Sequence, residues 1–187
     1  MPATLPIWAS GTSAVMLADN ELDALIRSTL TAFTDSIFAS GWRGREREAV
    51  SLYAAGFLQP LCNPGGPLRD PTQVAIEVTV PPAPGHNPKG RVNKDLVLWP
   101  EPRMTVWDSD WKVKNVPLAI LEWKVFRSGM RGAPAVSTYD LEWLKSFSGA
   151  HPQFVGYAVT VNLVGRPFRM RVARCYGGAA QLDWLNL

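Results

Sequence analysis

Histidine and cysteine are nearly missing from this chain. Of 187 residues, two are histidine, His86 and His151, and two are cysteine, Cys62 and Cys175. So few histidines exclude a His-rich metal site and argue against a Ser–His triad; Ser128, Ser137 and Ser148 also lack a Gly-x-Ser-x-Gly setting. His151, just before Pro152, reads as a loop or cap residue. The cysteines lack Cys-x-x-Cys spacing, so both read as reduced, buried thiols of a cytoplasmic protein, with no disulfide or zinc framework. No apolar run is long enough to span a bilayer. The first basic residue is Arg27, so the N-terminus has no basic region of the kind that opens a secretory signal. A Gly-x-x-x-x-Gly-Lys phosphate loop and internal repeats are also missing.

What is present fits an ordered globular chain. Hydrophobic residues make up 47% and charged residues 19%, and the length suits one domain over 1–187, with an N-terminal arm and helix in 1–42 and a core in 44–176. The net charge of +3 is unevenly placed. Residues 1–42 hold Asp19, Glu21, Asp23 and Asp35 against Arg27 alone, a balance of −3, which leaves +6 for the rest. Arg166, Arg169, Arg171 and Arg174 form a basic run, and such asymmetry permits a polyanionic partner.

Periodicity and breakers give the elements. Residues 1–17 read as an irregular arm or short strand anchored by Trp8 and Met16. A helix over 20–40 carries an apolar stripe of Leu22, Leu25, Ile26, Leu30, Phe33 and Ile37, suited to core support or to a dimer contact. A second helix over 45–55 opens on Arg45-Glu46-Arg47-Glu48, with Gly56 placed to close it. Both glutamates suit a helix N-terminus for electrostatic reasons alone. Strands follow over 73–80 and 94–99, with a Pro- and Gly-rich basic turn between them and a Trp-bearing insertion over 101–116 after them. A helix over 137–148, capped by Ser137 with Asp140 three residues on, precedes strands over 153–163 and 169–176. Residues 182–187 suit a short helix or strand. The order gives an antiparallel meander, then a helical crossover to a parallel strand: a mixed α/β sheet flanked by helices.

The stretch at the centre is Leu118–Phe126. It is an apolar strand interrupted by Glu122 and Lys124, which alternation places on one face, while Leu121, Trp123 and Val125 face the other way. A buried charge is costly unless it is paired or metal-bound. Asp95, 27 positions earlier, begins the preceding strand. The three residues read either as ordinary strand-end charges or as half of a hydrolytic site. Glu77 suits a solvent-side acid or a further ligand. Trp99, Trp107 and Trp111 suit the core or a surface that stacks bases.

Lys94-Asp95-Leu96-Val97-Leu98-Trp99 followed by Leu118-Ala119-Ile120-Leu121-Glu122-Trp123-Lys124-Val125-Phe126 resembles the PD-(D/E)XK (restriction-endonuclease-like) nuclease superfamily over roughly residues 44–163. Lys94 stands where the family name has proline. Arg45-Glu46-Arg47-Glu48 is similar to the Glu-Arg-Glu of archaeal Holliday-junction resolvases and favours Glu46 over Glu48 as an added acid. The Gln-x-x-x-Tyr element of RecB-like nucleases has no counterpart; Tyr139 and Trp143 keep its spacing without the Gln. The resemblance implies an αβββαβ core and a nuclease dependent on Mg²⁺ or Mn²⁺, acting on nucleic acid, DNA first. Asp95, Glu122, Glu46 and the Trp123 carbonyl would hold the metal, and Lys124 would position or deprotonate the attacking water or neutralise the phosphate. Lys89, Arg91, Lys94, Arg127 and Arg131 would contact phosphates, and a double-strand cut would call for a homodimer. The same fold without catalysis, binding nucleic acid or protein, is the alternative, and a hydrolase of another phosphate ester is a third option.

Overall fold

The computed structural model describes residues 11–86, 92–127, 137–164 and 167–187. Six strands form one sheet in sequential order: β1 (Val74–Val80), β2 (Val92–Leu98), β3 (Ala119–Phe126), β4 (Val155–Asn162), β5 (Arg169–Tyr176) and β6 (Ala179–Asn186). All neighbours are antiparallel except β3 and β4, which run parallel. Two antiparallel strands can be joined by a tight turn, but a parallel pair needs a crossover. Helix α3 (Thr138–Ala150) supplies it between β3 and β4.

Each face of the sheet has its own helical layer. Helix α1 (Gly11–Ser40) buries Leu22, Ile26, Leu30, Phe33 and Ile37 against Leu121, Trp123, Val125 and Tyr157, and α2 (Glu46–Tyr53) joins the same layer. The apolar stripe of α1 is therefore spent on the chain's own sheet and is not free for a dimer contact. Polar contacts fix it as well: Asp23 Oδ1 accepts from Tyr157 Oη at 2.7 Å and from Arg174 Nε at 2.8 Å. On the other face, Trp143, Leu144 and Phe147 of α3 pack over Val97, Ile120, Ala158 and Ala173.

Several boundaries differ from those the sequence suggested. The first helix begins at Gly11, not Asn20, because nothing in residues 11–19 breaks a helix; Trp8 lies outside the described residues. Gly56 does not end α2: it sits within a π-helical turn, Ala54–Leu58, and a 3₁₀ turn continues to Leu61. The C-terminal residues form a full strand, β6, paired with β5 across the turn at Gly177–Gly178, both of which take positive φ.

The pleat of the sheet reverses at one register. Val74 and Ile76 pack toward α1, whereas Val78 and Val80 pack toward α3. Glu77, between them, takes φ 52°. On β2, Leu96 and Leu98 pack toward α1, whereas Lys94 lies over Trp143 of α3. The β1–β2 pairing runs from Val74–Leu98 to Val80–Val92 with no Glu77–Asp95 pair. Side chains alternate strictly along a regular strand, so this local break re-aims both residues.

Gly156 lets α3 approach β4 closely. A Cβ at that position would lie 2.9 Å from Leu144 Cβ, an atom with no freedom to move aside. Gly156→Ala is expected to destabilise the protein by about 1–3 kcal/mol through overpacking, measured by urea unfolding against Gly149→Ala, where the nearest atom is 3.4 Å away.

Candidate active site

The start of α2 provides the first acid. Glu48 Oε2 accepts from the Arg45 backbone N–H at 2.6 Å and so caps the helix it belongs to. Glu46 is left facing the sheet. It lines a cleft of about 300 Å³ with Arg45, Arg47, Asp95, Val125 and Arg127. Glu77 lines the same cleft, is partly exposed and is ion-paired with Arg47.

The floor of the cleft is the point where β2 and β3 part. Their backbone pairing covers Leu98–Ala119, Val97–Ile120 and Leu96–Leu121. One residue further on, Asp95 Oδ2 accepts from the Trp123 backbone N–H at 2.8 Å, so a carboxylate takes the place of a ladder carbonyl. The Trp123 side chain is fully buried against Phe33 and Tyr53, as packing demanded.

Glu122 turns to the other layer. Its Oε1 forms an ion pair with Lys94 Nζ, and the two side chains are only 7% and 3% exposed. The contact is an ion pair without aligned hydrogen-bond geometry. Lys94 Nζ also sits 3.8 Å from the Trp143 ring centroid. Lys94 was expected at a phosphate; its burial overturns that role, because the pleat reversal carries its ammonium inward to Glu122. Burial pushes the Glu122 carboxyl up to about 8, opposed by Lys94 and reinforced by Asp95 and Asp140.

Lys124 joins the two layers. Its Nζ lies 3.2 Å from Glu46 Oε1 on α2 and 3.8 Å from Asp140 Oδ2 on α3. Burial works to lower its pKa, but Glu46, Asp140 and Asp95 together hold it above the ordinary lysine value. That is the reverse of the lowered value a water-deprotonating lysine needs, so Lys124 is a cation here. Glu46 is raised, mainly by burial, with Lys124 opposing.

The structure thus gathers Glu46, Asp95, Glu122 and Lys124 around the parting of β2 and β3. It does not place Asp95 and Glu122 side by side: one opens under α2 and the other is paired toward α3. Two participants were missed in the sequence, Asp140 and the inward role of Lys94. Asp140 could be read only as part of a helix start, where its N–H meets Ser137 Oγ at 3.4 Å, because its reach to Lys124 depends on how α3 packs. Arg127 is exposed at the cleft, while Lys89, Arg91 and Arg131 lie outside the described residues. Trp99 is buried in the α3 layer and offers no stacking face; Trp111, 79% exposed, does. Arg174, of the basic run, is engaged by Asp23, and Arg166 lies outside the described residues.

The donor set suits a hard divalent cation in kind. Four carboxylates (Glu46, Asp95, Glu122, Asp140) and two ammonium groups (Lys94, Lys124) meet there, while Glu77 with Arg45, Arg47 and Arg127 at the same cleft brings the formal charge to zero. Carboxylate oxygens are the donors that Mg²⁺ and Mn²⁺ take. Among the described residues, no three His, Cys, Asp or Glu side chains already converge on one point as a metal-holding group. Also among them, no helix is long and apolar enough to cross a membrane. Comparison with family models, with curated proteins and with solved structures finds no match to this chain.

The Glu122 pKa carries a pH dependence. Folded, the carboxyl is raised to about 8 from an ordinary 4.5, so between those values the folded state holds more protons than the unfolded state. Its contribution to stability is complete below about 4.5 and is lost as the pH rises through about 8. Unfolding in urea at pH 5.5 and 8.5 without divalent ions should show lower stability at the higher pH. In Glu122→Gln that difference should shrink.

Proposed function

We propose that this chain is a metal-dependent nuclease of the restriction-endonuclease-like type that hydrolyses phosphodiester bonds of nucleic acid, with DNA as the first substrate. The reading is carried by one observation: Lys124 pairs with Glu46 of the preceding helix, beside Asp95, where β2 and β3 part, and Glu122 lies two residues before Lys124 on the same strand. The element order supports it, with helix, three antiparallel strands, a crossover helix and a parallel strand in the sequence the resemblance implies.

Asp95 and Glu122, with Glu46 and the Trp123 carbonyl, would hold Mg²⁺ or Mn²⁺. Bound there, the metal supplies Lewis-acid activation of the attacking water. The remaining work falls to side chains. Lys124, kept protonated by Glu46 and Asp140, stabilises negative charge on the phosphate oxygens. Glu46, half-buried at the open cleft with its pKa raised by burial, is placed to accept a proton from that water. Arg127, with Arg45 and Arg47 at the rim, holds the backbone phosphates that lead into the cleft. Because α1 is committed to its own sheet, a homodimer would need another surface, and a single chain would cut one strand.

A second reading has its own observation. The Glu122–Lys94 pair neutralises the acid the metal would need, which suits a non-catalytic nucleic-acid-binding module of the same fold. Incubation with Mg²⁺ or Mn²⁺ on linear, nicked, branched and single-stranded DNA separates the two. Cleavage that EDTA abolishes is expected, with losses of about 10²–10⁴-fold in Glu122→Gln and Lys124→Ala. Binding without cleavage on every substrate would favour the module, and undiminished cleavage by both variants would remove these residues from the mechanism.

A further inference from the structure

We propose that Lys94 is a tethered counter-ion: it occupies Glu122 until a divalent cation displaces it, and the strength of that pair sets how tightly the site takes the metal. The inference rests on the metal-dependent reading above and adds a positioning residue to it.

The geometry singles out Lys94. In an unbroken strand it would share a face with Leu96 and point toward α1. The reversal of the pleat at Asp95 turns it toward α3, where its ammonium meets Glu122 Oε1 and the face of Trp143. A carboxylate and the negative face of an indole both favour a cation at that point, and Asp95 and Asp140 add to the negative surroundings of Glu122. The side chain is 3% exposed, so it has no access to a phosphate in solution. Everything around it selects for positive charge aimed at one carboxylate.

That carboxylate is also the one the metal requires. Lys94 holds Oε1 of that carboxylate, and an ammonium and a divalent ion close together in a buried pocket, where screening is weak, repel. The Lys94 side chain has to withdraw from Oε1 for Glu122 to give the metal both of its oxygens. The binding-competent arrangement is then a minor one, and the apparent affinity falls by its population. Lys124 also pairs with a proposed ligand, Glu46, but it is 39% exposed, so its ammonium moves into solvent without being desolvated first.

The test reads metal binding, not cleavage. Calorimetric titration of the full-length chain with Mn²⁺ is expected to give Lys94→Met an affinity at least about tenfold above wild type. Methionine retains the apolar stem against Trp143 and removes the charge. Lys94→Arg, which keeps the cation, should bind no more tightly than wild type. A second measurement needs no variant: amine acylation read by mass spectrometry should modify Lys94 slowly without divalent ions and several-fold faster at saturating Mn²⁺. The exposed Lys112 and Lys114 should react at a constant rate. Should Lys94→Met not fold, the wild-type labelling decides alone. Mn²⁺ binding with Lys94 still protected, or with affinity unchanged or weakened in a folded Lys94→Met, would overturn the counter-ion role and leave the nuclease reading standing. Wild-type protein that binds no Mn²⁺ would overturn both.

Discussion

The Trp123 backbone N–H lies two residues beyond the last β2–β3 backbone pair, and the carboxylate of Asp95 takes it at 2.8 Å. A buried backbone donor left unpaired would cost about 1–3 kcal/mol, so two strands cannot separate inside a sheet unless something else accepts. Asp95 accepts, and the sheet opens a gap without an orphaned amide. The reversal of pleat at Glu77 and Asp95 follows the same register on two adjacent strands. It re-aims Lys94 inward and leaves Asp95 at the cleft. The positions of Lys94 and Asp95 descend from this local break.

Charge then distributes itself between the two helical layers. The α2 side holds Glu46 and Asp95; the α3 side holds Lys94, Glu122 and Asp140; Lys124 spans both. An arrangement this acidic is not an economical way to build a core, since paired buried ions recover their desolvation cost only with good geometry. The raised pKa values of Glu46 and Glu122 express the same imbalance from the carboxylate side. Stability alone does not explain four acids at the point where two strands part.

The sequence made the regular parts of the fold legible because one periodicity governed each of them. The stripe of α1, the alternation of β1 on either side of Glu77 and the parallel crossover through α3 all follow from spacing and chain order. The faces of Glu122 and Lys124 followed from alternation too. Lys94 and Asp95 did not, because alternation fails just where they stand, and no local signal announced that Glu77 would adopt φ 52°. Asp140 was hidden for another reason. Its capping position describes its backbone, while its meeting with Lys124 depends on where α3 rests on β4. That packing depends on the close approach of Gly156 on β4 to Leu144, one helical turn on from Asp140.

The two lysines at the site show how environment, not residue type, assigns a role. Lys124 sits in a half-open position between the partly exposed Glu46 of one layer and the buried Asp140 of the other. Lys94 is enclosed against an indole ring and has Glu122 as its ion partner. Removing its charge strands Glu122, whereas removing that of Lys124 leaves Glu46 and Asp140 in contact with water to differing degrees. A lysine that is costly to expose and costly to remove belongs to the internal balance of the site. One that is partly exposed keeps its charge within reach of solvent. Burial therefore divides the two ammonium groups between an enclosed pair and an open one.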